Sequence, residues 1–136
     1  LFVDASGAVR YLKPADQNGT KLRQPGSNNN YGTGEPFLLD QNPRVPIIGG
    51  SNEVALALPD GSKRNLTAGS EAKKAPLCAC DIDGDGSLEV VFVGYSSSEL
   101  KYVKNLDPSK AADNTIYTVT DGTDPIVAGK PSLGVL

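Results

Sequence analysis

Apolar residues come in short runs broken by polar turns, and three of these runs share one layout. FVDASGAVRYLK (Phe2 to Lys13), IIGGSNEVALAL (Ile47 to Leu58) and FVGYSSSELKYVK (Phe92 to Lys104) each read as strand, tight polar turn, strand. In the second strand of each, Val9 and Tyr11, Val54 and Leu56, and Leu100 and Tyr102 hold matching alternate positions, with Arg10, Ala55 and Lys101 on the opposite face. The spacing from Val9 to Val54 is 45 residues and from Val54 to Leu100 is 46. A further apolar strand precedes each hairpin position, as PFLLD from Pro36, PLCACD from Pro76 and PSLGVL from Pro131, and a fourth follows as KRNLTA and TIYTVT.

A four-strand unit recurring every ~40–50 residues is the signature of propeller blades and does not fit helical solenoids. The expectation is an all-β protein of β-propeller-like, four-stranded antiparallel blades, about three of them, in one domain spanning 1–136. The blade bounds are 1–35 together with 131–136, then 36–74 and 75–130. PSLGVL would then close the sheet of the first blade and hide its edge. Rings ordinarily hold four to eight blades, so the chain is expected to be part of a larger propeller or to be completed by oligomerisation. The stretches GSNNNYGTG (26–34) and LDPSKAADN (from Leu106) read as surface loops.

Composition supports strands and turns. Fifteen Gly and ten Pro punctuate the 136 residues, and the apolar supply is mostly Val, Leu, Ile and Ala. The net charge of -3 comes from interspersed acids and bases with no basic stripe, so no nucleic-acid partner is expected. No apolar run approaches the eighteen or so residues of a membrane span. Methionine is missing throughout, so Leu1 is expected to follow processing or excision. Asn18 and Asn65 head Asn-x-Thr sequons, as a secreted surface glycoprotein would carry. Cys78 and Cys80, spaced i,i+2, share one face of a strand. They read as small buried strand residues or as an intermolecular disulfide, and a zinc site lacks ligands because the chain has no His.

The chemistry is concentrated in DIDGDGSLE, Asp81 to Glu89. Four carboxylates within nine residues repel one another unless a cation gathers them, and Gly84 and Gly86 permit the sharp backbone that wraps a loop around an ion. The expected ligands for Ca2+ are Asp81, Asp83 and Asp85, the backbone carbonyl of Ser87, and Glu89. An EF-hand would need its bidentate Glu at the twelfth position, which here is Phe92 inside an apolar strand, and dockerin-type loops fail likewise. In the preceding unit, LDQNPRVPII offers only Asp40 and Asn42.

DIDGDGSLEVVFVG, Asp81 to Gly94, resembles the FG-GAP or VCBS repeat of integrin α-subunit propellers and of bacterial and archaeal surface proteins. That resemblance implies a calcium loop joining the first two strands of a blade, with Asp81, Asp83, Asp85 and Glu89 as ligands, and an adhesive role toward proteins or glycans. The expected function is a calcium-stabilised binding or adhesion module of the cell surface or extracellular space, without catalysis. A protomer that self-assembles into a filament or lattice is the alternative, and a glycan-binding lectin using Tyr31 or Tyr95 is a further one. An enzyme would have to rely on a carboxylate pair such as Asp121 and Asp124, in a string that reads first as a turn.

Overall fold

The computed structural model describes residues 32–128 throughout and, before them, the backbone of three strands. Those three, β1 (Phe2–Val3), β2 (Val9–Tyr11) and β3 (Thr20–Arg23), form an antiparallel sheet in the order β1-β2-β3. Next come β4 (Phe37–Leu39), β5 (Asn42–Ile48), β6 (Val54–Ala57) and β7 (Lys63–Asn65), a four-stranded antiparallel meander. A second meander follows: β8 (Cys78–Cys80), β9 (Glu89–Val93), β10 (Leu100–Val103) and β11 (Ile116–Thr118). A 3-10 turn at Ala111–Asp113 interrupts the last connection, and β12 (Thr120–Asp121) with β13 (Asp124–Pro125) makes a short hairpin. The architecture is all-β, and the sheets form no closed barrel among the described residues.

Both meanders run in simple chain order, with connections that range from the two residues between β4 and β5 to the longer segment, carrying the 3-10 turn, between β10 and β11. The segments expected as PFLLD, KRNLTA, PLCACD and TIYTVT are β4, β7, β8 and β11. The ladders place Val54 opposite Ile48 and Leu100 opposite Val93, matching the alternation read from sequence. TKLR, which forms β3, is a strand that the sequence reading did not anticipate. PSLGVL, its closure of the first sheet, Asn18 and Tyr31 lie outside the described residues.

One core joins the two meanders. Ile48, Val54, Leu56 and Leu66 from the first pack with Val90, Phe92 and Val103 from the second, and Ala72, Leu77 and Leu106 fill the space between. The other face of β5 and β6 is buried as well, through Val45, Ile47, Ala55 and Ala57. Burial on both sides explains why VALA is a continuous apolar run rather than an alternating one. The β5–β6 part of this sheet is thus covered on both faces.

The layers are held at fixed spacing by backbone as well as side chains. Gly34 donates its N–H to Pro46 O at 2.9 Å, and a Cβ there would stand 2.3 Å from Leu77 O, so only glycine lets this edge approach the connection between the meanders. The Asn114 amide donates to Leu66 O at 2.9 Å and to Asn105 O at 2.8 Å, linking one sheet to the loop after the other. Thr67 Oγ1 accepts from the buried Val54 N–H at 2.9 Å.

In the β5–β6 turn, the buried Glu53 accepts from Ser51 N–H at 2.9 Å and pairs with Lys63. Burial pushes its carboxyl up, but the Lys63 ammonium and the Ser51 amide outweigh this and hold it below the usual range.

Candidate metal centre

The acidic loop joins β8 to β9, and the ladder sets its two ends side by side, with Cys80 opposite Glu89. Between them the chain must reverse within eight residues. Gly84 and Gly86 do this with φ of 78° and 89°, in the left-handed region that other residues rarely adopt. The aspartates then cap the loop's own amides. Asp81 Oδ1 accepts from Gly84 N–H at 2.7 Å and Oδ2 from Gly86 N–H at 2.9 Å, while Asp83 accepts from Asp85 N–H at 3.3 Å and Asp85 from Ser87 N–H at 2.8 Å. Such side-chain-to-backbone bonds are why Asp suits tight turns, and here the loop brings the carboxylates of Asp81 and Asp83 near Glu89.

Asp81, Asp83 and Glu89 each bring one carboxylate oxygen within 4.8 Å of the other two, an arrangement that could hold a metal ion. Two of these residues are exposed and one is fully enclosed: Glu89 is 0% accessible. Its Oε2 accepts from Ile82 N–H at 2.9 Å, whereas Oε1 is buried with no hydrogen-bond partner. A buried acceptor left without a partner is unfavourable, more so on a carboxylate, and a cation or a hydrogen-bond donor in the loop would satisfy it. The donor set consists only of oxygens, which suits a hard divalent ion.

Asp85, expected as a third aspartate ligand, is turned elsewhere. The Lys104 ammonium bridges Asp83 and Asp85, lying 2.8 Å from Asp85 Oδ2. Asp85 is accordingly held below the ordinary carboxylate range by Lys104 first and by Ser87 N–H second, and Lys104 is raised in turn by Asp83 and Asp85. Lys104 is the site residue that the sequence reading missed. The signal lies in the ladder: Val103 pairs with Val90, so the position just past the end of β10 brings Lys104 level with Glu89. Ser87 contributes its N–H to Asp85.

Other expected residues fall as follows. Cys78 is exposed and Cys80 half-buried, correcting the expectation of buried strand residues. Both face away from the core because the register puts Ala79 with Val90 on the packed side. Their sulfurs are 3.9 Å apart, and burial, then Cys78, push the Cys80 thiol up to about 11. Asn65 is exposed on β7, beside a cavity of about 490 Å³ that Lys63, Arg64 and Ser109 also line. Tyr95 is exposed at the β9–β10 turn, and Asp121 and Asp124 pair across the β12–β13 hairpin, both exposed. No described helix is long and apolar enough to cross a membrane. Comparison with protein-family models, with curated proteins and with solved structures gives no match.

Proposed function

We propose that the chain is a calcium-stabilised, noncatalytic binding or adhesion module of the cell surface or extracellular space, built from propeller-like FG-GAP or VCBS blades. The observation that carries this reading is the buried, unpartnered Oε1 of Glu89 within reach of Asp81 and Asp83. An isolated acidic turn has no reason to enclose its glutamate, whereas a metal loop does. Calcium fits better than magnesium because it accepts six to eight oxygens in irregular geometry and binds carboxylates directly.

Asp81, Asp83 and Glu89 would hold the ion, with Asp85 and the Ser87 carbonyl joining once Lys104 moves aside. Lys104 occupies the position of a cation between Asp83 and Asp85, so ion binding is an exchange of one positive group for another. The ion's role is structural: it fixes the β8–β9 connection and stabilises the folded state by mass action. The two stacked four-stranded meanders support the blade reading, and the millimolar calcium of the extracellular space suits a site of this kind.

Thermal unfolding with and without excess chelator, alongside solution mass, tests this reading. A fall in melting temperature on chelation, reversed by calcium and not by magnesium, is expected; an unchanged melting temperature would reduce the loop to an acidic turn. The self-assembling protomer is the second reading, favoured by the apolar outer face of β8–β11.

A further inference from the structure

The two meanders correspond position by position. In each, the turn after the second strand is closed by a glycine amide: Gly49 N–H donates to Glu53 O and Gly94 N–H to Glu99 O, both at 2.8 Å. Aligned on these glycines, the ladder pair Ile48–Val54 matches Val93–Leu100, Leu56 matches Tyr102, and Pro46 matches Val91. On β4–β7, the middle of the three larger sheets in chain order, Ile48, Val54 and Leu56 form the face on which β8–β11 is seated. The seated side of β8–β11 presents Val90, Phe92 and Val103, which match Val45, Ile47 and Ala57, the buried cluster on the opposite side of the middle sheet. Each meander therefore has a face of the seated kind and a face of the receiving kind, and on the middle sheet residues of both are buried.

The receiving face of β8–β11 has no described sheet upon it. It carries a row across all four strands, Cys78, Val91, Tyr102 and Tyr117, in ladder register. The two tyrosine rings stack with centroids 5.1 Å apart. Beside the row lies a groove of about 320 Å³ bordered by Pro76, Cys78, Cys80, Ile82, Val91 and Leu100. Val91 in the row is 5% exposed and Tyr102 half-buried, while Cys78 is exposed at one end of the row. Tyr117, at the other end, and Ile82, in the groove, are each 39% exposed, so the apolar and aromatic surface open to a partner lies toward the outer strands.

We propose that this face is the docking surface for a second copy of the chain, which seats its first sheet, β1–β3, there as β8–β11 is seated on the middle sheet. In that first sheet Val3 pairs with Val9 as Ile48 pairs with Val54, so Phe2 and Arg10 hold the register positions of Ile47 and Ala55. The contact joins unlike surfaces, receiving face to seated face, and so repeats from copy to copy until it closes as a ring or continues as a fibre. This inference takes up the self-assembling reading and does not depend on the metal.

Sedimentation velocity of the whole chain in chelator, over a range of concentrations, provides the test, with the exposed Cys78 as reporter. Chelator separates the two readings, because assembly that persists there stands whether or not the loop binds calcium. Mass is expected to rise with concentration past a dimer, and alkylation of Cys78 by a polar maleimide to slow about tenfold once nine in ten faces are covered. Tyr117→Lys and Cys78→Lys proteins should stay monomeric and unfold near the temperature of the wild type at concentrations too low for it to assemble. Added to wild type, Tyr117→Lys should shorten the assemblies, since it can be seated but cannot receive. A monomer at every concentration overturns the proposal, whether Cys78 labels freely or is covered by the chain's own residues. A dimer that goes no further and cross-links through Cys78 on oxidation overturns it too, because that contact joins like faces.

Discussion

Replacing Glu89 by Gln separates an ion ligand from a structural carboxylate through the sign of its effect. Glu89 is fully buried, with Oε2 on Ile82 N–H and Oε1 unpartnered. Without a divalent ion, Glu89→Gln removes a buried charge and retains an acceptor for Ile82. An amide group then faces Asp81 and Asp83, able to donate where Oε1 had no partner. Relief of an unsatisfied buried group is worth about 1–3 kcal/mol, so the variant should melt at or above the wild-type temperature in chelator. At a calcium concentration a hundredfold above the dissociation constant, binding stabilises the wild type by about 2.7 kcal/mol. For a chain of this size that is about 10 °C in melting temperature, and the variant should lose most of it. Melts followed by circular dichroism in chelator and in calcium give all four values. A variant destabilised equally in both conditions would refute the argument, because Glu89 would then serve the fold without serving an ion.

Lys104→Met should raise calcium affinity several-fold by titration calorimetry, since the ammonium bridging Asp83 and Asp85 no longer competes; a weakened site would mean that Lys104 helps to build it. Phe92→Ala removes a fully buried ring from the core shared by the meanders and should cost about 3–5 kcal/mol in denaturant unfolding, with or without calcium. Thr67→Val leaves the buried Val54 N–H without its hydroxyl acceptor and should cost about 1–3 kcal/mol by the same measurement. The Glu53 carboxyl lies below its unfolded value, so its stabilisation is present above the ordinary glutamate range near pH ~4.3 and is lost as pH falls through the folded value. Glu53→Gln should flatten that acid limb in a melting-temperature profile, leaving a smaller loss of stability between neutral and acid pH than in the wild type.

Strand identity was legible where a period of two coincided with bounding turns. β6 and β10 lie within the hairpins read from the chain, β5 and β9 overlap the starts of those hairpins but begin earlier, at Asn42 and Glu89, and β4, β7, β8 and β11 lie within the flanking segments. What escaped was set by tertiary placement. TKLR is short and basic, with little apolar alternation to mark it as β3. The alternation of Cys78 and Cys80 was read correctly, but which face of the strand met the core could not be, because both faces of β9 are apolar. Within the loop, spacing identified the acids but could not divide them. Asp81 and Asp83 gather with Glu89, while Asp85 lies outside that group and shares with Asp83 the ammonium of Lys104, a residue nineteen positions from Asp85 that the β9–β10 register brings near.

The most direct test of the metal loop is calcium binding itself, by isothermal titration of chelator-stripped protein together with elemental analysis of the bound ion. The account predicts one calcium ion per chain held by the described loop, and its loss in an Asp81→Asn, Asp83→Asn double variant that retains the wild-type circular dichroism spectrum in chelator. No bound calcium in the wild type, or undiminished binding in the double variant, would contradict it.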